Sequence, residues 1–163
     1  MIYINADRNR MVEFTIRKEI QFKNDNHAAF VAKNLDELQE KKNTFGDILI
    51  PNFTFEKNNN VVWYEAEYIK GNTVRSKHLV ETLWKECVLR KDSITLSNYC
   101  WRNYIKCQDT QKLYYIDLNE CMHMTMDERK ESWNKSKAYL YAAETTLLEY
   151  RGKDGKRMVS DIN

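Results

Sequence analysis

The stretch NYCWRNYIKCQDTQKLYYIDLNE, residues 98–120, decides how the rest of this 163-residue chain is read. Its polar opening belongs to the loop LSNYCWRN, which ends at Asn103. YIKC follows, then a turn over 108–112, then LYYIDLNE, so the segment reads as a short hairpin whose second strand ends at Asp117. Taken singly, Asp117 is a turn residue capping a strand end, and Asn103 is a side chain that bonds to its own loop. Taken together they say more. Two antiparallel strands return the chain to its starting point, so one amide and one carboxylate can converge on a single metal ion.

Upstream, MIYIN and MVEFTIRKEIQF read as strands about a polar turn at 6–10, with Phe14, Ile16, Ile20 and Phe22 alternating on one face. Lys18 interrupts that face. A lysine there snorkels to solvent, pairs with an acid or meets an anionic ligand, because an unpaired buried ammonium is costly. From Asp25 the pattern becomes helical, with Val31, Leu35 and Leu38 at i, i+4 and i+7, and it ends near Asn43. Gly46 and Pro51 punctuate the connection into FTFEKNNNVVWYEAEYI, a hairpin about a turn at 56–60, which Gly71 and Asn72 close. Leu79, Val80, Leu83, Trp84, Cys87 and Val88 then recur at helical spacing.

Downstream of the hairpin, Thr125 or Asp127 caps a long helix that runs through Tyr150, with Trp133, Leu140 and Leu147 at heptad-like steps and Gly152 as its stop. Such steps suit packing within the chain, or a dimer interface made by the helix's tyrosines. Residues 151–163 read as a loosely held tail.

One proline, four glycines, 42% hydrophobic and 31% charged residues describe one compact domain. No apolar run approaches the ~18 residues of a membrane span, and MIYINADRNR has no export signature, so the expectation is a cytoplasmic protein with no membrane partner. A net charge of +2 argues against a nucleic-acid partner. Cys87, Cys100, Cys107 and Cys121 form no C-x-x-C pair, so neither a structural zinc site nor a disulfide framework is signalled. Cys121 and His123 supply only two metal ligands between them. The abundance of Lys, Asn, Ile and Tyr suits a protein encoded in a compact viral genome and acting in the host cytoplasm.

Ordered along the chain, a lysine on an inward strand face, an acidic helix, a hairpin ending E-Y-I-x-G, a loop ending in Asn and a strand ending in Asp form a set. In TIRKEIQF, EAEYIKGNTV, NYCWRNYIKC and KLYYIDLNE the sequence resembles the protein-kinase-like superfamily over about residues 11–120. It is more similar to the aminoglycoside and lipopolysaccharide kinase branch than to eukaryotic protein kinases. The resemblance implies an α+β fold in which a small antiparallel-sheet N-lobe with one helix is joined by a hinge to a truncated, mainly helical C-lobe. The N-lobe would span 1–70 with its helix at about 26–42, and the C-lobe 71–150 with a catalytic-like loop at 96–120. ATP and magnesium are the implied cofactors.

Residue by residue, Lys18 matches the family's phosphate-gripping strand lysine, and Glu37, or else Glu40, would pair with it to fix its direction. Glu67, Tyr68 and Ile69 match the hinge whose backbone meets the adenine edge, with Ala66 at the back of the pocket. Asn103 matches the metal-binding asparagine of the catalytic loop, and Asp117 the metal-binding aspartate after the next strand. The chemistry needs such a set because phosphoryl transfer is mainly positioning and charge neutralisation.

The sequence departs from the family pattern in three respects. The catalytic aspartate position, five before the asparagine, holds Asn98, and an amide is no general base. The turn at 6–10 contains no glycine, so backbone amides cannot close over phosphates in the usual way. Only one clear helix lies between hinge and loop and one after it, which leaves little to recognise a large acceptor. Two classes of function follow. One is a minimal phosphotransferase acting on a small molecule or host component, with Glu120 or the phosphate itself taking the proton. The other is a pseudokinase or interaction module that binds a protein partner through its aromatic-rich surface. A third and plainer reading is a small α+β protein whose polar residues only support turns.

Overall fold

The computed structural model describes residues 2–6, 14–73, 77–88, 94–96, 101–135 and 137–138. Asn98, Cys100, nearly all of the turn at 6–10, the last helix beyond 138 with Leu140 and Leu147, and the tail 151–163 lie outside the described residues. In chain order the elements are β1 (Ile2–Ala6), β2 (Phe14–Gln21), α1 (Asp25–Lys41), β3 (Ile48–Leu49), β4 (Phe53–Asn58), β5 (Val61–Glu67), β6 (Gly71–Thr73) and α2 (Lys77–Val88). There follow β7 (Ile94–Thr95), β8 (Tyr104–Cys107), β9 (Leu113–Tyr115), β10 (Met122–His123) and a third helix, α3, over 126–135. The class is α+β, as expected. Among the described residues no helix is long and apolar enough to cross a membrane.

The first sheet is antiparallel throughout, in the order β1-β2-β5-β4. Its β4–β5 hairpin follows from strict alternation, with Val62, Tyr64 and Ala66 buried and their neighbours less so. The turn is tighter than the predicted 56–60. Residues 56–58 stay paired in β4, and only Asn59 and Asn60 turn, Asn59 at φ 53, a conformation asparagine accepts more readily than most residues. Helix α1 lies against β4 and β5 through Ala28, Val31, Leu35 and Leu38. Each of these buried leucines contributes about 1.5–3 kcal/mol. The Asn24 side chain caps the helix by accepting from the His27 N–H at 2.8 Å.

The second sheet runs β3-β9-β8-β6, with β3 parallel to β9 and the other pairs antiparallel. Here the structure corrects the sequence reading. Gly71 and Asn72 do not close the first sheet; they begin β6 and pair with Cys107 and Lys106 of β8. Glycine is needed at 71 because a Cβ there would stand 1.9 Å from the Lys106 carbonyl oxygen. Tyr104 and Tyr115 face each other across β8 and β9, both fully buried, with ring centroids 5.3 Å apart.

Helix α2 contributes Leu79 and Leu83 to the same core, and its Trp84 packs on Trp133 of α3 at 5.0 Å. Between the two candidate caps of α3, Thr125 is the one used. Its hydroxyl accepts from the Glu128 N–H while the Glu128 carboxylate accepts from the Thr125 N–H, both at 3.2 Å.

A candidate ligand cleft between the two sheets

Register places Lys18. In the β2–β5 pair Ile16 stands opposite Ala66 and Lys18 opposite Tyr64, so these four side chains share one face of the first sheet. That face looks across a cleft of about 320 Å³ toward Asn103 just before β8, Ile105 within it, and Ile116 and Asp117 just beyond β9. The volume is at the lower end of small-molecule sites. Ile16, Ala66, Pro51, Ile105 and Ile116 make the walls apolar, and the link Glu67, Tyr68 and Ile69 forms the rim.

The Ile116 N–H donates to the Asn103 carbonyl at 2.8 Å and so extends the β8–β9 ladder by one step. This bond sets Asn103 beside Asp117. Asn103 is buried, yet its side-chain amide has no hydrogen-bond partner among the described residues, where its own loop was one expected partner. Asp117 stands before the 3-10 turn Leu118–Glu120 but makes no capping bond with its carboxylate. That carboxylate instead accepts from Lys18 Nζ at 2.9 Å. Lys18 also donates to Asn119 Oδ1 at 2.9 Å. An ammonium has three N–H donors, and the third has no partner among the described residues.

Glu37 is not the partner of Lys18. Helix α1 packs against the 3-10 turn and β10, which brings Glu37 to His123, with Oε2 at 3.1 Å from Nε2. Glu40 is exposed on the same helix. The expected Lys18–Glu37 pair is thus replaced by Lys18–Asp117 and Lys18–Asn119, because the turn after β9 supplies oxygens directly beneath the strand. Asn119 escaped the sequence reading. The only signal for it is the polar–apolar–polar run Asp117-Leu118-Asn119, whose middle residue is fully buried and pins the turn.

At the rim, Glu67 is held by reciprocal bonds: its N–H donates to the Asn52 carbonyl and its carboxylate accepts from the Asn52 N–H, both at 3.0 Å. Tyr68 is exposed and Ile69 half-buried. Among the described residues the Ile69 backbone N–H and C=O have no partner. Inside the cleft, burial first and then the Asp117 charge push the Tyr64 phenol well above its ordinary range. Behind it, burial pushes the Cys121 thiol up to about 12, and that thiol faces the Asn34 carbonyl at 3.8 Å.

Among the described residues no three His, Cys, Asp or Glu side chains converge as a metal-ligand group. A cation in the cleft would therefore meet one carboxylate, from Asp117, and the neutral amide of Asn103. An all-oxygen donor set this sparse suits a hard divalent ion that keeps water and ligand oxygens in its remaining positions, as magnesium does. No known protein family matches the sequence, and no curated protein matches it.

Proposed function

We propose that the cleft binds a nucleoside triphosphate with magnesium, as a reduced member of the kinase-like fold. The observation that carries this reading is the gathering of Lys18, Asn103, Asp117 and the 67–69 link around one cleft from four separate stretches of chain. The lining by Ile16, Ala66, Ile105 and Ile116 is apolar, which suits a nucleobase. The N–H and C=O of Ile69, without a partner among the described residues, offer one donor and one acceptor to the base edge. The third N–H of Lys18 takes a phosphate oxygen. Asp117 and Asn103 would hold magnesium, which would supply the positive charge that neutralises the phosphate. A small molecule or a host component, in a cytoplasmic setting, is the acceptor this minimal site would serve.

A thermal melt with magnesium and a non-hydrolysable ATP analogue tests the reading. At about 100 times the dissociation constant the ligand adds about 2.7 kcal/mol of stability, and Asp117→Ala abolishes the shift. A wild-type chain whose melting point no nucleotide moves overturns the proposal.

Asn98 favours a second reading for the chemistry itself, since the amide at the family's aspartate position accepts no proton. In that reading the protein binds nucleotide without turnover and acts through a protein partner. Glu120, exposed at the end of the 3-10 turn, is the carboxylate that would take the proton in the phosphotransferase reading. Radiolabelled transfer to a panel of sugars and proteins separates the two. Transfer that Glu120→Gln removes supports the phosphotransferase, and no transfer by a chain that binds nucleotide supports the second reading.

A further inference from the structure

We infer that Asn119 is the positioning residue for Lys18, keeping the ammonium aimed into the cleft once a ligand engages Asp117; this rests on the nucleotide reading above. Lys18 has two protein acceptors of different character, the anionic Asp117 and the neutral Asn119, each at 2.9 Å. A polyphosphate with its cation competes with Lys18 for the carboxylate, because the charged oxygens of Asp117 are the stronger cation ligand. It competes far less for an amide oxygen. When the Asp117 contact loosens, the Asn119 contact remains, and the lysine stem keeps its direction.

The neutrality of Asn119 has a second consequence. A carboxylate at that place, or the Glu37 carboxylate swung across from α1, would offset the lysine charge that attracts phosphate. Asn119 orients the ammonium and leaves its charge for the ligand. The 3-10 turn Leu118–Glu120 keeps Asn119 in step with Asp117: the Glu120 N–H donates to the Asp117 carbonyl at 3.0 Å, and buried Leu118 anchors the turn. The aim of Lys18 is thereby set from the strand end beneath it and not from helix α1.

Calorimetric titration of wild type, Asn119→Ala and Asn119→Ser with the magnesium-bound ATP analogue and, separately, with adenosine tests the assignment. Serine is too short to reach Lys18 and gives a second variant should alanine fold poorly. We expect both variants to bind the triphosphate at least about tenfold more weakly, the size of one lost bond to a charged group, and adenosine within twofold of wild type. In wild type saturated with the analogue, the Lys18 ammonium gives a slowly exchanging NMR signal, assigned by its loss in Lys18→Arg; both variants lose it. Triphosphate binding equal to wild type overturns the inference alone. Equal weakening for adenosine and triphosphate also overturns it, since Asn119 would then shape the whole cleft. A wild-type chain that binds neither ligand removes the nucleotide reading and this inference together.

Discussion

Lys18 and Arg17 are neighbours on β2 and point to opposite faces of the same sheet. Their side chains are exposed to similar degrees, 25% and 33%, so burial does not distinguish them. Their partners do. Arg17 is satisfied locally, bonding Glu19 two residues away and lying over the Trp63 ring at 4.1 Å on the adjacent strand. Lys18 reaches Asp117 and Asn119, 99 and 101 residues away in the chain. A cation balanced by its own neighbourhood is a solvated sheet face. A cation whose acceptors come from the far end of the fold, beside a cleft and with a donor to spare, is where ligand chemistry can be built.

The sharpest break of this contrast is at Gly71, which lets β6 approach β8 on the cleft side. Gly71→Ala would drive a Cβ into the Lys106 carbonyl oxygen, a backbone atom with little room to move. We expect a loss of about 3 kcal/mol or more in urea unfolding and loss of nucleotide binding with it. The matching change on the outer face, Thr54→Ala, stays within about 0.5 kcal/mol. Equal effects at the two positions would show that the second sheet is paired differently.

Next in size are the two cations. Lys18→Ala leaves Asp117 without its partner and costs about 1–3 kcal/mol, and it lowers affinity for the ATP analogue about a hundredfold, equivalent to two charge-assisted bonds. Arg17→Ala costs under about 1 kcal/mol and leaves that affinity within twofold. An Arg17 variant that loses as much binding as the Lys18 variant would move the site to the other face of the sheet.

Strong local periodicity made much of this arrangement legible in the sequence. The spacing of Val31, Leu35 and Leu38 gives α1, and the alternation through Tyr64 and Ala66 gives the first sheet. The return of LYYIDLNE on YIKC brings Asn103 beside Asp117. What stayed hidden has no local period. β3 and β6 are two and three residues long, too short for a pattern, and only long-range pairing makes them strands. The expected pairing of Lys18 with Glu37 fails for the same reason. Helical spacing shows that an acid lies on α1 but not which neighbour the helix packs against, and that neighbour proves to be the strand carrying His123.

Cys121 and Cys107 also differ in how they answer to pH. Burial raises the Cys121 thiol from its ordinary 9.0 to about 12, and raises Tyr64 beyond the ordinary phenol range. The hydrogen bonds from Thr110 lower the thiol of Cys107 at the end of β8. An acid whose folded pKa is raised stays neutral in the native state while the unfolded chain ionises, so the stability it gives is complete below pH 9 and falls as pH climbs toward 12. Urea titrations at pH 7, 9 and 10.5 should show a decline of order 1 kcal/mol per unit above pH 9, and a shallower one in Cys121→Ala. A flat profile would mean that Cys121 and Tyr64 are solvated. Cys107, with its lowered pKa, contributes no such decline.

The smallest expected effect is at Glu37, and it bears on which element aims Lys18. The Glu37–His123 pair is part-exposed on both sides, 28% and 30%, so Glu37→Gln should cost under about 1 kcal/mol. If the turn after β9 sets the direction of the ammonium, this variant binds the ATP analogue within twofold of wild type although it sits at the position expected to hold the lysine. A tenfold loss in Glu37→Gln would mean that α1 swings on ligand binding and Glu37 exchanges His123 for Lys18. The comparison of Lys18 with Arg17 would then survive, but the lysine would answer to a movable helix and no longer to a fixed turn.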